Sequence, residues 1–128
     1  MSFPRLVTRT LPAVLGGALA AAAFATTPAS ASSGWWTSPG GRAEGYYNSF
    51  NGHVYANDLK RDGWSAITQV RTNRDGYFVA DVTDKWANGR GSWKTPTLYS
   101  GVVFKMRVCV VKSGHKPTKC SAWHTFES

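Results

Sequence analysis

The side chains of this 128-residue chain that could take part in acid–base catalysis are seven carboxylates and three histidines, His53, His115 and His124. A catalytic site needs a nucleophile beside a base, a pair of carboxylates or an open metal site. No Gly-x-Ser-x-Gly or His-Glu-x-x-His string occurs. Asp81 and Asp84 are three residues apart, which places them on opposite faces of a strand. We therefore predict a protein that is not an enzyme and has no cofactor or metal; a triad assembled only by folding stays open as the alternative.

Tryptophan is the residue type that best indicates binding. The chain has six tryptophans and five tyrosines, more than the core of one small domain usually needs. Four of the tryptophans lie in Gly-rich, polar segments where complete burial is difficult: Trp35, Trp36, Trp86 and Trp93. An exposed indole can stack on the apolar face of a sugar ring, and its N–H can donate a hydrogen bond. These four are candidate glycan-binding residues, whereas Trp64 and Trp123 are expected in the core. The alternative is that the four rings cover the open ends of a small sandwich.

Basic residues are concentrated in the C-terminal half of the chain. Positions 85–126 hold eight Lys or Arg residues and no Asp or Glu, whereas positions 32–84 hold five basic and six acidic residues. Such a block can attract an anionic surface, for example a wall polymer, an acidic polysaccharide or phospholipid headgroups, and Lys105 and Arg107 are candidate contacts. Net charge that only keeps the protein soluble is the alternative. No nucleic-acid-binding module is recognisable, so nucleic acid is not expected as a partner.

Residues 1–31 have the features of a cleaved secretory signal. Arg5 and Arg9 form a basic n-region, residues 11–24 form an apolar run, and Ala29-Ser30-Ala31 provides a small-x-small cleavage site. The apolar run is shorter than the roughly 20 residues of a membrane span. We therefore predict a secreted, extracellular mature chain, residues 32–128, that forms a single β domain without a membrane span. Without the two leader arginines, 13 Lys and Arg stand against seven acidic residues, a net charge of +6.

Cys109 and Cys120 are the two cysteines of the chain, and in an oxidising compartment they are expected to form a disulfide. Ten residues separate them, an even number that allows a two-residue turn to bring them directly opposite each other in a hairpin. Gly114-His115 is then the turn, with glycine at the position where a type II′ turn requires it. The same register places Met106 opposite Trp123 on the apolar face of the hairpin.

The rest of the predicted mature chain consists of short strands separated by turns. Five segments have strand composition or alternation: residues 43–50, 53–58, 64–72, 77–83 and 102–111. Asn51-Gly52 is a type I′ turn signal, residues 84–96 are predicted as a loop or frayed hairpin, and residues 32–42 as an irregular lead-in. No window shows sustained helical periodicity. The pattern predicts an all-β fold, a small antiparallel β-sandwich or barrel-like domain with a disulfide-linked C-terminal hairpin.

Two pairs of short motifs accompany the alanine-rich leader. They are Asp62-Gly63-Trp64-Ser65-Ala66 with Gln69-Val70-Arg71, and Arg107-Val108-Cys109-Val110 with Cys120-Ser121-Ala122-Trp123. In these motifs the segments 45–70 and 104–126 resemble a group of short secreted actinobacterial proteins of unassigned function. The resemblance implies a small secreted β domain, and it implies no activity and no site residues.

Two functions fit these observations. One is a non-catalytic binding module that contacts an anionic or glycan surface of the cell envelope, with a cell-wall polymer or polysaccharide as its partner. The other is a small secreted effector that binds a secreted protein, either as an enzyme inhibitor or as an antibacterial factor. Retention on purified wall material distinguishes the first, and a stoichiometric complex with a secreted hydrolase distinguishes the second.

Overall fold

The computed structural model describes residues 32–128, which contain eight β-strands and no helix. The strands are β1 (Trp36–Thr37), β2 (Ala43–Asn48), β3 (His53–Asp58), β4 (Ser65–Thr72), β5 (Phe78–Asp84), β6 (Ser92–Lys94), β7 (Val103–Val111) and β8 (His124–Glu127). They form two antiparallel four-stranded sheets, sheet A with the order β1-β2-β3-β6 and sheet B with the order β5-β4-β7-β8. The predicted all-β antiparallel fold is confirmed, and the predicted signal at 1–31 lies outside the described residues.

The two sheets pack face to face because their strands alternate inward and outward side chains. Sheet A buries Tyr47 and Val54 against Val70 and Met106 of sheet B, within one hydrophobic cluster. The sheets approach each other closely at Gly45 of β2. An added Cβ there would collide with the Thr68 hydroxyl oxygen and lie 2.7 Å from a methyl group of Val108. Glycine is therefore required at this position by the close approach of the opposite sheet.

Hydrogen bonds between the sheets accompany this apolar core. The Thr68 hydroxyl in sheet B donates a hydrogen bond of 2.8 Å to the Tyr55 carbonyl oxygen in sheet A. At one end of the sandwich, the Asp58 N–H donates to the buried Asp84 carboxylate over 2.8 Å, and Ser92 Oγ donates to the same carboxylate over 3.1 Å. These bonds satisfy polar groups that would otherwise be costly to bury.

Three segments of sheet A differ from the predictions. The segment 32–42, predicted as an irregular lead-in, contains β1, and the segment 84–96, predicted as a loop or frayed hairpin, contains β6. Between β2 and β3 the pairing ends at Asn48 and His53, so the connection has four residues, and the Gly52 N–H donates to the Asn48 carbonyl over 2.8 Å. The predicted two-residue type I′ turn at Asn51-Gly52 is therefore wrong.

The predicted disulfide between Cys109 and Cys120 is confirmed, with the two Cα atoms 4.0 Å apart. The predicted turn is displaced by one residue. The His115 N–H donates to the Lys112 carbonyl over 2.9 Å, and Gly114 occupies the third turn position with φ of 79°. A positive φ at the third position is the requirement of a type II turn, so glycine is needed for a different turn from the type II′ turn predicted.

The register of the C-terminal hairpin is correct at the disulfide and wrong beyond it. The Ser121 N–H donates to the Val108 carbonyl over 2.8 Å, in the predicted register. In β8, however, Met106 lies opposite His124, where Trp123 was predicted. A shift of one residue moves a side chain to the other face of a sheet. Trp123 therefore lies outside the core, 37% exposed.

Among the described residues, none belongs to a helix long and apolar enough to cross a membrane. The disulfide is compatible with the oxidising conditions outside the cytoplasm.

Candidate functional site

Aromatic side chains line the outer face of sheet A. Tyr46 of β2 lies opposite Tyr55 of β3, which in turn lies opposite Trp93 of β6. Residues directly opposite each other in a sheet project from the same face, here the face turned away from the core. Trp35 precedes β1 and reaches Tyr46, while His53 lies two residues before Tyr55 on the same strand. We call these five residues the aromatic row.

The rings of the aromatic row are in contact with one another. Trp35 is stacked on Tyr46 with 4.7 Å between ring centres and 20° between planes, and Tyr46 lies 5.9 Å from Tyr55. At the other end His53 meets Tyr55 edge-on at 5.7 Å and is stacked on Trp93 at 3.9 Å. Offset stacks and edge contacts are the preferred arrangements of aromatic pairs, so each ring is held by its neighbours.

The two indoles at the ends of the row are half exposed. Trp35 is 51% exposed and Trp93 is 54% exposed, although each has one ring face against a neighbouring ring. The His53 ring beneath Trp93 is held in turn by a 2.7 Å hydrogen bond between its Nδ1 and Thr95 Oγ1. Each terminal indole can therefore present its second face to a flat, apolar partner without changing its conformation.

A polar cleft of about 360 Å³ adjoins the Trp35 end of the row. Glu44 and Asn57 lie opposite each other in the sheet, and Asn57 Nδ2 donates to Glu44 Oε2 over 3.0 Å. Arg90 lines the same cleft, so a carboxylate, an amide and a guanidinium group surround the indole. Within residues 32–128 the buried Asn57 Oδ1 has no hydrogen-bond partner.

The backbone of the loop before β6 fits closely against this cleft. Gly91 has φ of +72°, and an added Cβ would lie 2.9 Å from the Ala56 carbonyl oxygen. Both the positive φ and the short distance favour glycine. The loop residue Arg90 is thereby held next to β3 and the polar end of the aromatic row.

The structure separates the four candidate tryptophans. Trp35 and Trp93 belong to the aromatic row, but Trp36 points to the opposite side of β1, packs against the core and stacks on His124 at 4.4 Å. Trp86 follows β5 and is 71% exposed, away from the row. Adjacent residues in a strand project to opposite faces, which is why Trp35 and Trp36 have different environments.

The predicted basic contacts, Lys105 and Arg107, lie on the outer face of sheet B. Their charged groups are 4.9 Å and 4.6 Å from the centre of the Trp123 ring, within the range of a cation–π interaction. Arg107 Nε also donates to Gln69 Oε1 over 2.8 Å. The expectation that Trp123 is a core residue is wrong, because its ring covers these two cations.

The other expected core tryptophan, Trp64, lies immediately before β4. It is partly buried and packs against the hydrophobic cluster, so the expectation agrees with its position. Its ring also has the Arg42 guanidinium and the Lys112 ammonium group each within 5.6 Å of its centre.

Three members of the aromatic row, Tyr46, Tyr55 and His53, were not identified from the sequence. Alternation in β2 and β3 was the available signal, because Tyr46 and Tyr55 each alternate with residues that the core buries. A ring count alone does not distinguish these residues from the buried Tyr47. Their recognition needs the pairing of β2 with β3 and of β3 with β6.

In the part of the chain that the structure describes, no three His, Cys, Asp or Glu side chains gather in a group that could hold a metal ion. No arrangement of those residues positively indicates catalysis. No protein-family model, curated protein or solved structure matches the chain. The geometry of the aromatic row and its surroundings is therefore the best indication of function in this protein.

Proposed function

We propose that this protein is a secreted, non-catalytic module that binds a glycan of the cell envelope through the aromatic row. The observation that carries the proposal is the pair of half-exposed indoles, Trp35 and Trp93, each stacked on a neighbouring ring and exposed on the other side.

The chemistry of a pyranose ring explains why such indoles suit a sugar. One face of the sugar carries C–H groups and is apolar, and the face of an aromatic ring carries negative charge density that attracts C–H hydrogens. Stacking removes both apolar surfaces from water. Because the two indoles are already held by Tyr46 and His53, little conformational entropy is lost when a sugar binds.

Polar groups beside Trp35 supply hydrogen bonds for sugar hydroxyls. Glu44 accepts, Arg90 donates, and the Asn57 amide N–H can donate once a ligand replaces its present contact with Glu44. An apolar floor with a few convergent polar groups is the usual character of a small-ligand site. A hydrophobic partner without hydroxyl groups would leave these polar groups unsatisfied.

The presence of an indole at each end of the row favours a polymer over a single sugar. A chain of sugars can contact Trp35 and Trp93 together, and the second contact is then intramolecular. Lys105 and Arg107 lie on the other sheet, so the row itself has little positive charge to contribute. Retention through the row should therefore depend weakly on salt, because ionic strength screens charge interactions and leaves stacking almost unchanged.

The proposal is tested by retention of the purified protein on insoluble neutral polysaccharides. Trp35→Ala and Trp93→Ala should each lower the affinity about tenfold, since each removes one stacking surface. Tyr99→Ala is the control, because it removes an exposed aromatic ring outside the row. Equal retention of all three variants and the unchanged protein would contradict the proposal.

The same purified protein should also be used as bait with culture medium. A stoichiometric complex with a secreted hydrolase, formed without any retention on glycans, would replace the glycan-binding proposal with the effector alternative.

A further inference from the structure

A second cleft lies at one end of the sandwich, where β3 and β5 end and β4 begins. It has a volume of about 560 Å³, and Lys60, Arg61, Lys85 and Trp86 are among the residues that line it. An adjoining depression of about 600 Å³ shares Lys85 and adds Lys112. The two together form a continuous surface, which we call the basic cleft.

The cations of the basic cleft face solvent without carboxylate partners. Among residues 32–128, the ion pairs join Arg42 to Asp62 and Arg71 to Asp81, so Lys60, Arg61, Lys85 and Lys112 are in neither. All four are exposed side chains. Long basic side chains can carry their charged groups out to the rim of a cleft while their stems pack along its wall.

The carboxylates near the basic cleft are occupied by internal contacts. Asp62 accepts hydrogen bonds from Arg42 Nε over 2.8 Å and from the Trp64 N–H over 3.0 Å. Asp58 is buried and accepts from the Lys60 N–H, and the buried Asp84 accepts from the Asp58 N–H. The negative charges therefore lie at the floor or in a local pair, and the rim is positive.

An exposed indole accompanies this positive rim. Trp86 lines the basic cleft immediately after Lys85 and is largely exposed. A simple anion gains nothing from contact with an apolar ring face, whereas a sugar that carries an acidic group can stack on the ring and form ion pairs with the cations. Cations and an indole in one cleft therefore match a charged sugar polymer better than an inorganic anion.

We propose that the basic cleft is a second binding site, specific for an acidic polysaccharide. Lys60, Arg61 and Lys85 bind its carboxylate or phosphate groups, and Trp86 packs against a sugar ring. The site is separate from the aromatic row in its residues and in its chemistry, since the row binds by stacking and the cleft combines charge with stacking. One module can then hold a neutral glycan and an acidic polymer at the same time.

The test uses the full mature chain and four soluble polymers in titration calorimetry. Polygalacturonate supplies carboxylates on sugar rings, and phosphorylated dextran supplies phosphates, with unmodified dextran as its uncharged counterpart. Inorganic polyphosphate supplies charge without a sugar. We expect at least one charged polysaccharide to bind more tightly than unmodified dextran. Whichever of polygalacturonate and phosphorylated dextran binds more tightly identifies the acidic group that the site prefers. Equal affinity for charged and uncharged dextran, with no binding of polygalacturonate, would overturn it.

Matched substitutions locate the site. Arg61→Gln should weaken binding of the charged polysaccharide about threefold, and the triple substitution of Lys60, Arg61 and Lys85 by Gln about thirtyfold. Arg74→Gln removes the same charge from the turn at the other end of β4 and should change the affinity less than twofold. Equal losses in Arg61→Gln and Arg74→Gln would show that net charge, and not the basic cleft, attracts the polymer.

Trp86→Ala separates a sugar site from a simple anion site. It should weaken binding of the charged polysaccharide at least fivefold while polyphosphate binding changes less than twofold. Binding of polyphosphate without binding of either charged polysaccharide would overturn the proposal. Unchanged affinity of the Trp86→Ala variant for both kinds of polymer would also overturn it. None of these substitutions alters the aromatic row, so the outcome is independent of the test of glycan binding there.

Discussion

The outer faces of the two sheets both carry aromatic rings, but the rings have different neighbours. On sheet A, Trp35 and Trp93 are stacked on other aromatic rings. On sheet B, Trp123 lies against Lys105 and Arg107, and Phe78 lies 5.0 Å from the Arg71 guanidinium. A ring on a ring forms a platform whose outer face is free, whereas a ring on a cation satisfies both groups within the protein.

The difference also concerns charge. Arg71 is held by an ion pair of 2.8 Å to Asp81, and Arg107 is hydrogen bonded to Gln69, so two basic groups of sheet B are already engaged. A ligand that approached them would first have to replace these contacts. Exposure of a Trp or Arg side chain is therefore a weaker sign of binding than the absence of an internal partner for its ring face or its charge.

The largest expected effect distinguishes Phe126, which lies in β8, from Trp123, which directly precedes β8. Phe126→Ala should lower the free energy of unfolding by about 3–5 kcal/mol, because Phe126 is 6% exposed and its ring contacts Tyr47 and Phe104. Trp123→Ala should cost less than about 1 kcal/mol, since the ring covers only the outer face. Urea unfolding followed by circular dichroism measures both. A larger loss in Trp123→Ala would restore the register predicted from the sequence.

The two hairpins show how much of the register the sequence could predict. Between β2 and β3, the true connection has four residues where two were predicted, a register shift of two that leaves every side chain on its original face. In the C-terminal hairpin the shift in β8 is one residue, so the predicted core residue Trp123 lies outside and Phe126 lies inside. A register error of two residues left the predicted core of the first hairpin intact. An error of one residue exchanged the inner and outer faces of β8 in the second hairpin.

The cause of the odd shift is an irregularity that residue types do not reveal. Val110 pairs with Thr118 on the turn side of the disulfide, and Met106 pairs with His124 on the other side, so the register changes across Cys120. Lys119 adopts a left-handed φ of 52° there. Non-glycine residues rarely adopt that conformation, and nothing in a lysine predicts it. The strand composition, the disulfide and the apolar face of β7 were predictable because each depends on local residue pattern.

The candidate site was only partly predictable for a related reason. Trp35 and Trp93 were recognised from their residue type and polar surroundings, but their stacking partners, Tyr46 of β2 and His53 of β3, reach them only through the pairing of the sheet. The basic cleft likewise combines Lys60 and Arg61 with Lys85, across the boundary that divides the chain by charge in the sequence. The concentration of basic residues in one part of the sequence therefore did not predict where basic side chains gather on the surface.

The second expected effect concerns the disulfide, which lies in sheet B. The double substitution Cys109→Ala and Cys120→Ala should lower the free energy of unfolding by about 2–3 kcal/mol, because the unfolded chain gains the entropy that the short closed loop removes. Glycan retention of the folded variant should be unchanged, since the aromatic row lies in sheet A. Chemical denaturation and retention assays below the transition test both statements. Loss of retention in a natively folded variant would show that the two faces are coupled.

A smaller effect is expected when the support of a terminal indole is removed. Tyr46→Ala deletes the ring beneath Trp35 and should weaken glycan binding about two- to tenfold, because Trp35 is then no longer held in place before binding. Tyr99→Ala, at an exposed tyrosine outside the row, is the control and should leave the affinity unchanged. Calorimetric titration distinguishes the two. Unchanged binding in Tyr46→Ala would show that stacking within the row does not position the indole.

The smallest effect concerns a carboxyl group where the sheets meet. Asp58 ends β3, is 5% exposed, and its N–H donates to Asp84 at the end of β5. Desolvation by burial is the main cause that raises the pKa of Asp58 above 3.8, and the charges of Asp62 and Asp84 raise it further. The hydrogen bond from the Lys60 N–H and the charge of Arg42 oppose these effects without cancelling them.

This raised pKa predicts the sign of a pH dependence. Between pH 3.8 and the folded pKa of Asp58, the folded protein binds the proton of this group more than the unfolded chain does, so its contribution to stability falls as pH rises. Asp58→Asn keeps the size and the oxygen that accepts from Lys60, but it cannot ionise. The free energy of unfolding of the variant, relative to the natural chain, should therefore increase from pH 3 to pH 7. Urea unfolding at both pH values measures this difference, in which the other titrating groups largely cancel. A relative decrease would mean that the Asp58 carboxylate is stabilised by its surroundings, and the end of the sandwich would then be a favourable environment for negative charge.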